Sequence, residues 1–169
     1  MRRKNLWAPW RMEYIETLNE PEGCFICGYQ ENPDRDKDNL VLWRTSNCIV
    51  VFNKFPYNNG HLLIAPCRHI ATLDEATDDE LLELTKLCRD CQTVLTAAIS
   101  PHGFNIGMNF GRCAGAGLPD HMHIHVVPRW DGDTNFMHVC SDTDVISQSL
   151  VELHDKLRQI SLEKNLPNL

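Results

Sequence analysis

Three histidines, His121, His123 and His125, alternate with Met122 and Ile124 just ahead of Val126, Val127 and Pro128. A run so rich in β-branched and apolar residues reads as a strand, and in a strand every second side chain shares a face. Imidazole titrates near neutrality, binds metals and attacks phosphorus, so three in a row where aliphatics would normally pack call for a chemical reason. A chance repeat of packed or surface histidines is the alternative, and it leaves the glycine-rich stretch from Gly111 to Gly117 beside them unaccounted for. Phosphorus chemistry is the reading we take forward. His102, His138 and His154 belong to no comparable group and are expected at the surface.

Cysteine provides the second chemical signal. Cys24 and Cys27 form a knuckle directly after Glu20, Pro21, Glu22 and Gly23, a turn-rich setting in which two thiolates could converge on one ion, the alternative being a pair of buried reduced thiols. Cys88 and Cys91 have the same spacing in a different context. With Leu81, Leu84, Leu95 and Ala98 they recur at helical intervals, so they are expected on the packed stripe of an amphipathic helix.

The remaining composition narrows the class. A chain of 169 residues with 43% hydrophobic content can bury one good core, which favours a single domain over residues 1–169. Its net charge of -7 argues against nucleic acid as a partner, because phosphate backbones reward clustered Lys and Arg. No apolar run approaches the roughly 18 residues that cross a bilayer, so no membrane partner is expected. The N-terminus lacks the apolar stretch of a secretory signal, and a cytoplasmic location follows as the expectation. Eight cysteines in such a chain are then reduced thiols or metal ligands, not a disulfide framework.

The elements that must position these residues can be sketched. Residues 1–23, with two tryptophans around Pro9, read as an ordered arm covering another surface. Residues 30–39 read as an exposed loop. Residues 40–43 and 48–52 look like a hairpin, and His61 to Pro66 like the next strand. From Thr77 through Ile99 apolar positions recur every three or four residues, with Thr77 as N-cap and Asp78, Asp79 and Glu80 in the first turn, where the helix dipole favours negative charge. Asn105 to Phe110 resumes an extended pattern, the histidine strand spans 121–128, and a last helix is expected over 141–164. Strands gathered around one long internal helix indicate an α+β domain with a meandering antiparallel sheet.

The segment His121-Met122-His123-Ile124-His125-Val126-Val127 resembles the histidine-triad signature of nucleotide hydrolases and transferases. Residues 53–66 are similar to that family's upstream segment and residues 109–117 to its phosphate-side loop. The flanking pieces at 6–11, 24–27 and 128–137 look like its diadenosine polyphosphate phosphorylase and hydrolase branch, and more distantly like galactose-1-phosphate uridylyltransferases.

The resemblance implies a site. It makes His123 the nucleophile that takes a nucleotide from the α-phosphorus of a dinucleoside polyphosphate and holds it as a nucleotidyl-histidine until water or inorganic phosphate accepts it. His61 and His125 join it in the catalytic set, with His125 donating to phosphate oxygens and Asn109 as the polar contact to the phosphate or leaving group. Gly115, Ala116 and Gly117 would let backbone N–H groups approach an anion. Asn53 would meet the ribose hydroxyls, and Leu42 and Phe52 are candidates for the base slot. A structural zinc would be held by Cys24, Cys27, His69 and His121, with no organic cofactor, and two copies would form a homodimer. One departure bears on the acceptor. The Gln with a Ser or Thr common before the first histidine is replaced by Gly117, Leu118, Pro119 and Asp120, which removes a donor and opens space for phosphate to compete with water. Two other readings keep the nucleotide: a phosphoramidate or nucleotide-sugar donor cleaved by the same histidine, and a module that binds nucleotide without turnover.

Overall fold

The computed structural model describes residues 23–133 and 146–169, so the arm expected over 1–23 falls almost wholly outside the described residues, as do His138 and 141–145. Five strands, β1 (Val41–Arg44), β2 (Cys48–Phe52), β3 (Leu62–Pro66), β4 (Gly103–Met108) and β5 (Ile124–Arg129), form one antiparallel sheet in the order β1-β2-β3-β5-β4. The architecture is α+β, as expected, but the sheet is not a simple meander. After β3 the chain crosses over through the long helix α2 (Asp78–Ile99) to the far edge, and β5 returns to fill the gap between β3 and β4. The strand that carries His125 is therefore bonded on both sides.

Helix α2 forms for local reasons. Thr77 accepts from the Glu80 N–H while the Glu80 carboxylate accepts from the Thr77 N–H, a reciprocal cap that satisfies two otherwise orphaned donors. Arg68 pairs with the same carboxylate at 2.7 Å, and that pair, the largest cause, holds Glu80 down to about 2. The helix buries Leu84, Leu87, Cys91, Val94, Leu95 and Ala98 against β2, β3 and β5, so Cys91 packs in the core and Cys88 beside it. Gly60 sits where this helix crosses closest. Its φ is +76°, and a Cβ there would lie 2.9 Å from Ile99 Cδ1, so only glycine fits ahead of His61.

Three boundaries differ from the sequence reading, the first being that the strand expected over 121–128 begins only at Ile124, so that His121 and His123 lie just ahead of β5. A short helix, α1 (Phe25–Glu31), replaces the start of the expected loop, and Ile26 anchors it fully buried on the sheet. The C-terminal helix α3 runs over Leu150–Lys164, because Ser149 caps it by accepting from the Glu152 N–H and 146–149 are not helical. It docks on β1 through Leu153 and Leu157, with Trp43 Nε1 donating to Ser161 Oγ at 3.0 Å. His154, expected at the surface, is fully buried in this seam. Its Nε2–H donates to the Val41 carbonyl at 2.9 Å, satisfying a backbone group that β1 leaves over. His102 is exposed, as expected. Among the described residues no helix is long and apolar enough to cross a membrane.

Candidate active site and metal centre

The sheet has two unlike faces. Leu42, Val50, Phe52, Leu62, Ile64, Ile124 and Val126 point into the core beneath α2 and α3, whereas Val41, Ile49, Val51, Leu63 and Ala65 pack with Ile26 on the other side. Register places the histidines with this second set, since Leu63 pairs with His125 across β3 and β5 and Gly107 pairs with His125 from β4. Leu42 and Phe52 therefore do not line the histidine face, and the sequence candidates for the base slot are corrected. Val51 and Leu63 share that face but are themselves buried beneath Ile26, and β2 and β3, covered on both faces, show no alternation to read.

Each histidine is held by a different partner, and the partners fix its proton. His123 Nδ1 lies 2.9 Å from the His121 carbonyl, which can only accept, so the proton is on Nδ1 and the Nε2 lone pair is free. The Tyr57 backbone N–H, which can only donate, reaches His61 Nδ1 at 3.1 Å, and Asn53 Nδ2 approaches the same atom at 3.3 Å. His61 must then carry its proton on Nε2, which donates to His125 Nδ1 at 3.0 Å. That in turn puts the His125 proton on Nε2, 3.5 Å from Asn109 Nδ2. His61 is completely buried and His123 nearly so. Burial, and then the neighbouring imidazoles His125 and His123, bring His61 down to about 3, while burial and His123 bring His125 down to about 4. Both rings are neutral near pH 7, as this chain of directed bonds requires.

The structure brings His61, His123, His125, Asn53 and Asn109 together. Asn53 is partly engaged within its own loop, its Oδ1 accepting from the Phe55 N–H at 2.9 Å. The small-residue stretch behaves differently from the expectation. Gly115 adopts a left-handed conformation with φ +86°, and its N–H and that of Ala116 bond to the Arg112 and Gly111 carbonyls. Those two amides close the turn, and Gly117 keeps the one of the three N–H groups without a partner among the described residues. Tyr57 was also overlooked by sequence reasoning. Its signal, an aromatic residue four before His61 in a polar loop, is too general to single it out.

Four residues behind His125 on the same face, His121 has another neighbourhood. One ligand atom each from Cys24, Cys27, His69 and His121 lies within 4.8 Å of the others. His121 Nε2–H donates to the Pro66 carbonyl at 2.9 Å, which leaves Nδ1 unprotonated and facing Cys24 Sγ at 3.1 Å and Cys27 Sγ at 3.6 Å. His69 Nδ1 stands 3.2 Å from Cys27 Sγ. Two thiols and two imidazoles converging at this range fit a tetrahedral metal with no open position, the type that cross-links a fold. The donors come from α1, from the loop after β3 and from the residues just ahead of β5.

A fold of this order, with a triad of imidazoles beside a glycine-rich turn, defines a class. The sequence model of the HIT domain matches residues 34–132, and the chain belongs to that family. Its relatives include "AP-4-A phosphorylase" of Mycobacterium tuberculosis, 37% identical over 153 residues that make up 87% of this chain and 78% of the relative. A second, the "Bis(5'-nucleosyl)-tetraphosphatase [asymmetrical]" of Schizosaccharomyces pombe, is 30% identical over 74% of this chain and 65% of its own length. The crystal structure of a "ZN-bound histidine triad family protein" from Mycobacterium smegmatis shares the fold, with a TM-score of 0.67, 20% identity and coverage of 86% of this chain and all of that one.

Proposed function

We propose that this chain is an enzyme cleaving a dinucleoside polyphosphate, such as diadenosine tetraphosphate, at the α-phosphorus. The observation that carries this reading is the bond from His123 Nδ1–H to the His121 carbonyl, which leaves Nε2 as a free, directed lone pair on a face shared with a second proton-bearing imidazole. In the first step Nε2 forms a bond to phosphorus as the bridging P–O bond breaks, and the leaving oligophosphate keeps the electron pair. His125 Nε2–H and Asn109 Nδ2 supply hydrogen bonds to the oxygens on which charge builds. In the second step an acceptor oxygen bonds to phosphorus and the N–P bond breaks, returning His123 to its starting state. Inorganic phosphate as acceptor gives a nucleoside diphosphate, and water gives the monophosphate. Absence of a hydroxyl side chain between Gly117 and His121, together with the phosphorylase relative, supports phosphate as an acceptor. Asn53 serves the ribose and His61.

Zinc, held by Cys24, Cys27, His69 and His121, belongs to the same reading. It would supply a cross-link between α1 and the approach to β5, and no activated water. The pairing of two copies is proposed from β4, an edge strand whose Ile106 is exposed beside a groove of about 470 Å³ lined by Gln92, Thr93, Thr96, Ala97, Phe104 and Lys164. Sizing in solution tests that part. The activity is tested by incubating the protein with diadenosine tetraphosphate, with and without phosphate, and separating the products. Nucleoside diphosphate that forms only with phosphate supports the assignment. Monophosphate alone in both cases removes phosphorolysis, and an intact substrate removes the reading.

A further inference from the structure

Tyr57 is more than half exposed in the loop between β2 and β3, yet its ring rests against two imidazoles. It stacks on His125 with centroids 5.6 Å apart and planes 25° from parallel, and leans on His61 at 4.7 Å. Beneath it runs the 3.0 Å bond from His61 Nε2–H to His125 Nδ1. The same residue's backbone N–H begins that chain of bonds at His61 Nδ1. The loop is held in place by the end of β5 and the turn after it, since Asn58 Nδ2 donates to the Pro128 carbonyl at 3.1 Å and to Asp133 Oδ2 at 2.8 Å. Gly60 closes the loop with a backbone shape no other residue adopts without strain.

Resting on the function proposed above, we infer that Tyr57 is a positioning residue whose ring roofs the His61 to His125 hydrogen bond, holding His125 in the tautomer that aims Nε2–H at the scissile phosphate. The physical case has two parts. A hydrogen bond between neutral imidazoles is easily exchanged for water, and an aromatic plane laid over it excludes that exchange from the solvent side. A plane nearly parallel to His125 also fixes the rotation of the imidazole about its χ2, which a flexible aliphatic side chain would leave loose. His61 does not need the ring, because its proton is set by the main-chain N–H of residue 57, which Leu and Phe both retain. The ring therefore acts through His125, and the charged or titrating groups facing His125 are His61 and His123.

Two variants and two readouts test this. Tyr57→Leu fills the volume without a stacking plane and is expected to lower kcat by about 10–30-fold with KM within about threefold, whereas Tyr57→Phe keeps the plane and stays within about twofold of wild type. Ring ¹⁵N chemical shifts of the substrate-free proteins supply a readout independent of turnover. Wild type and Tyr57→Phe should show His125 as a single Nε2–H tautomer, Tyr57→Leu a mixture, and His61 the Nε2–H form in all three. The His61 signal reports that the Leu variant is folded. A Leu variant with wild-type kcat and a single His125 tautomer would overturn the inference, as would equal losses in both variants, which would assign the effect to the hydroxyl. If wild-type protein leaves diadenosine tetraphosphate intact, the functional reading fails while the ¹⁵N comparison still decides the role of the ring.

Discussion

His121 and His125 are the same side chain on the same face of one short segment, and they do opposite things. His121 gives its Nε2–H to the Pro66 carbonyl and turns a bare Nδ1 toward two thiols. His125 accepts at Nδ1 from another imidazole and turns a proton outward. Between them, His123 carries its proton on Nδ1 and leaves Nε2 bare. Three residues at one spacing thus hold protons on Nε2, Nδ1 and Nε2 in turn, and the tautomer, which in the proposed function separates ligand, nucleophile and donor, is set by the neighbour.

The comparison can be broken at its centre first. His123→Ala is expected to reduce turnover of diadenosine tetraphosphate by at least about a thousandfold while melting temperature and bound zinc stay unchanged. Retained activity would remove the nucleophile assignment. His121→Ala should do the reverse in kind, leaving substoichiometric zinc by elemental analysis and lowering the unfolding free energy by about 2–4 kcal/mol. Full zinc content in that variant would show that the four-donor group is not the metal centre. Gly60→Ala lies at the root of the loop that feeds His61, and the forced φ and the contact with Ile99 should cost about 1–3 kcal/mol in denaturant unfolding.

The smallest effect is in pH. His61 and His125 have folded values near 3 and 4, below the 6.5 of an unfolded histidine, so between these limits the unfolded chain binds more protons. Their contribution is complete above pH 6.5 and is lost as pH falls toward 4. Unfolding free energy should drop across that window in the substrate-free protein, and the drop should shrink in His125→Gln. An equal slope in both proteins would place the acid sensitivity elsewhere.

The triad and α2 could be read from the chain because both carry a strict period. Thr77 and Glu80 form the reciprocal cap that their spacing announces, whereas of the alternating histidines only His125 lies within the sheet, His121 and His123 standing just ahead of it. The faces of β2 and β3 could not be read. Cys48–Phe52 and Leu62–Pro66 are apolar at every position because both sides are covered, so Phe52 and Val51 looked equivalent. Helix α1 was hidden for another reason: at seven residues it is too short for periodicity, and it is fixed by Ile26 and by the position of its cysteines beside His69 and His121. His154 was misjudged because its use, closing a leftover carbonyl of β1, exists only once α3 has docked. The proton positions lay further still from the sequence, since they depend on the Tyr57 amide and the Pro66 and His121 carbonyls, groups every residue possesses.

The order β3-β5-β4 has a consequence for biosynthesis. An interior slot of the sheet is filled by the last of the described strands, after both of its walls and the 22-residue helix that spans them exist. A nascent chain that stops short of residue 124 already holds His61, His121 and His123 but lacks His125 and the strand that sets it between β3 and β4. On the function proposed above, the proton donor His125 joins His61 and His123 only with this insertion, so the catalytic set is completed by the same event that closes the sheet.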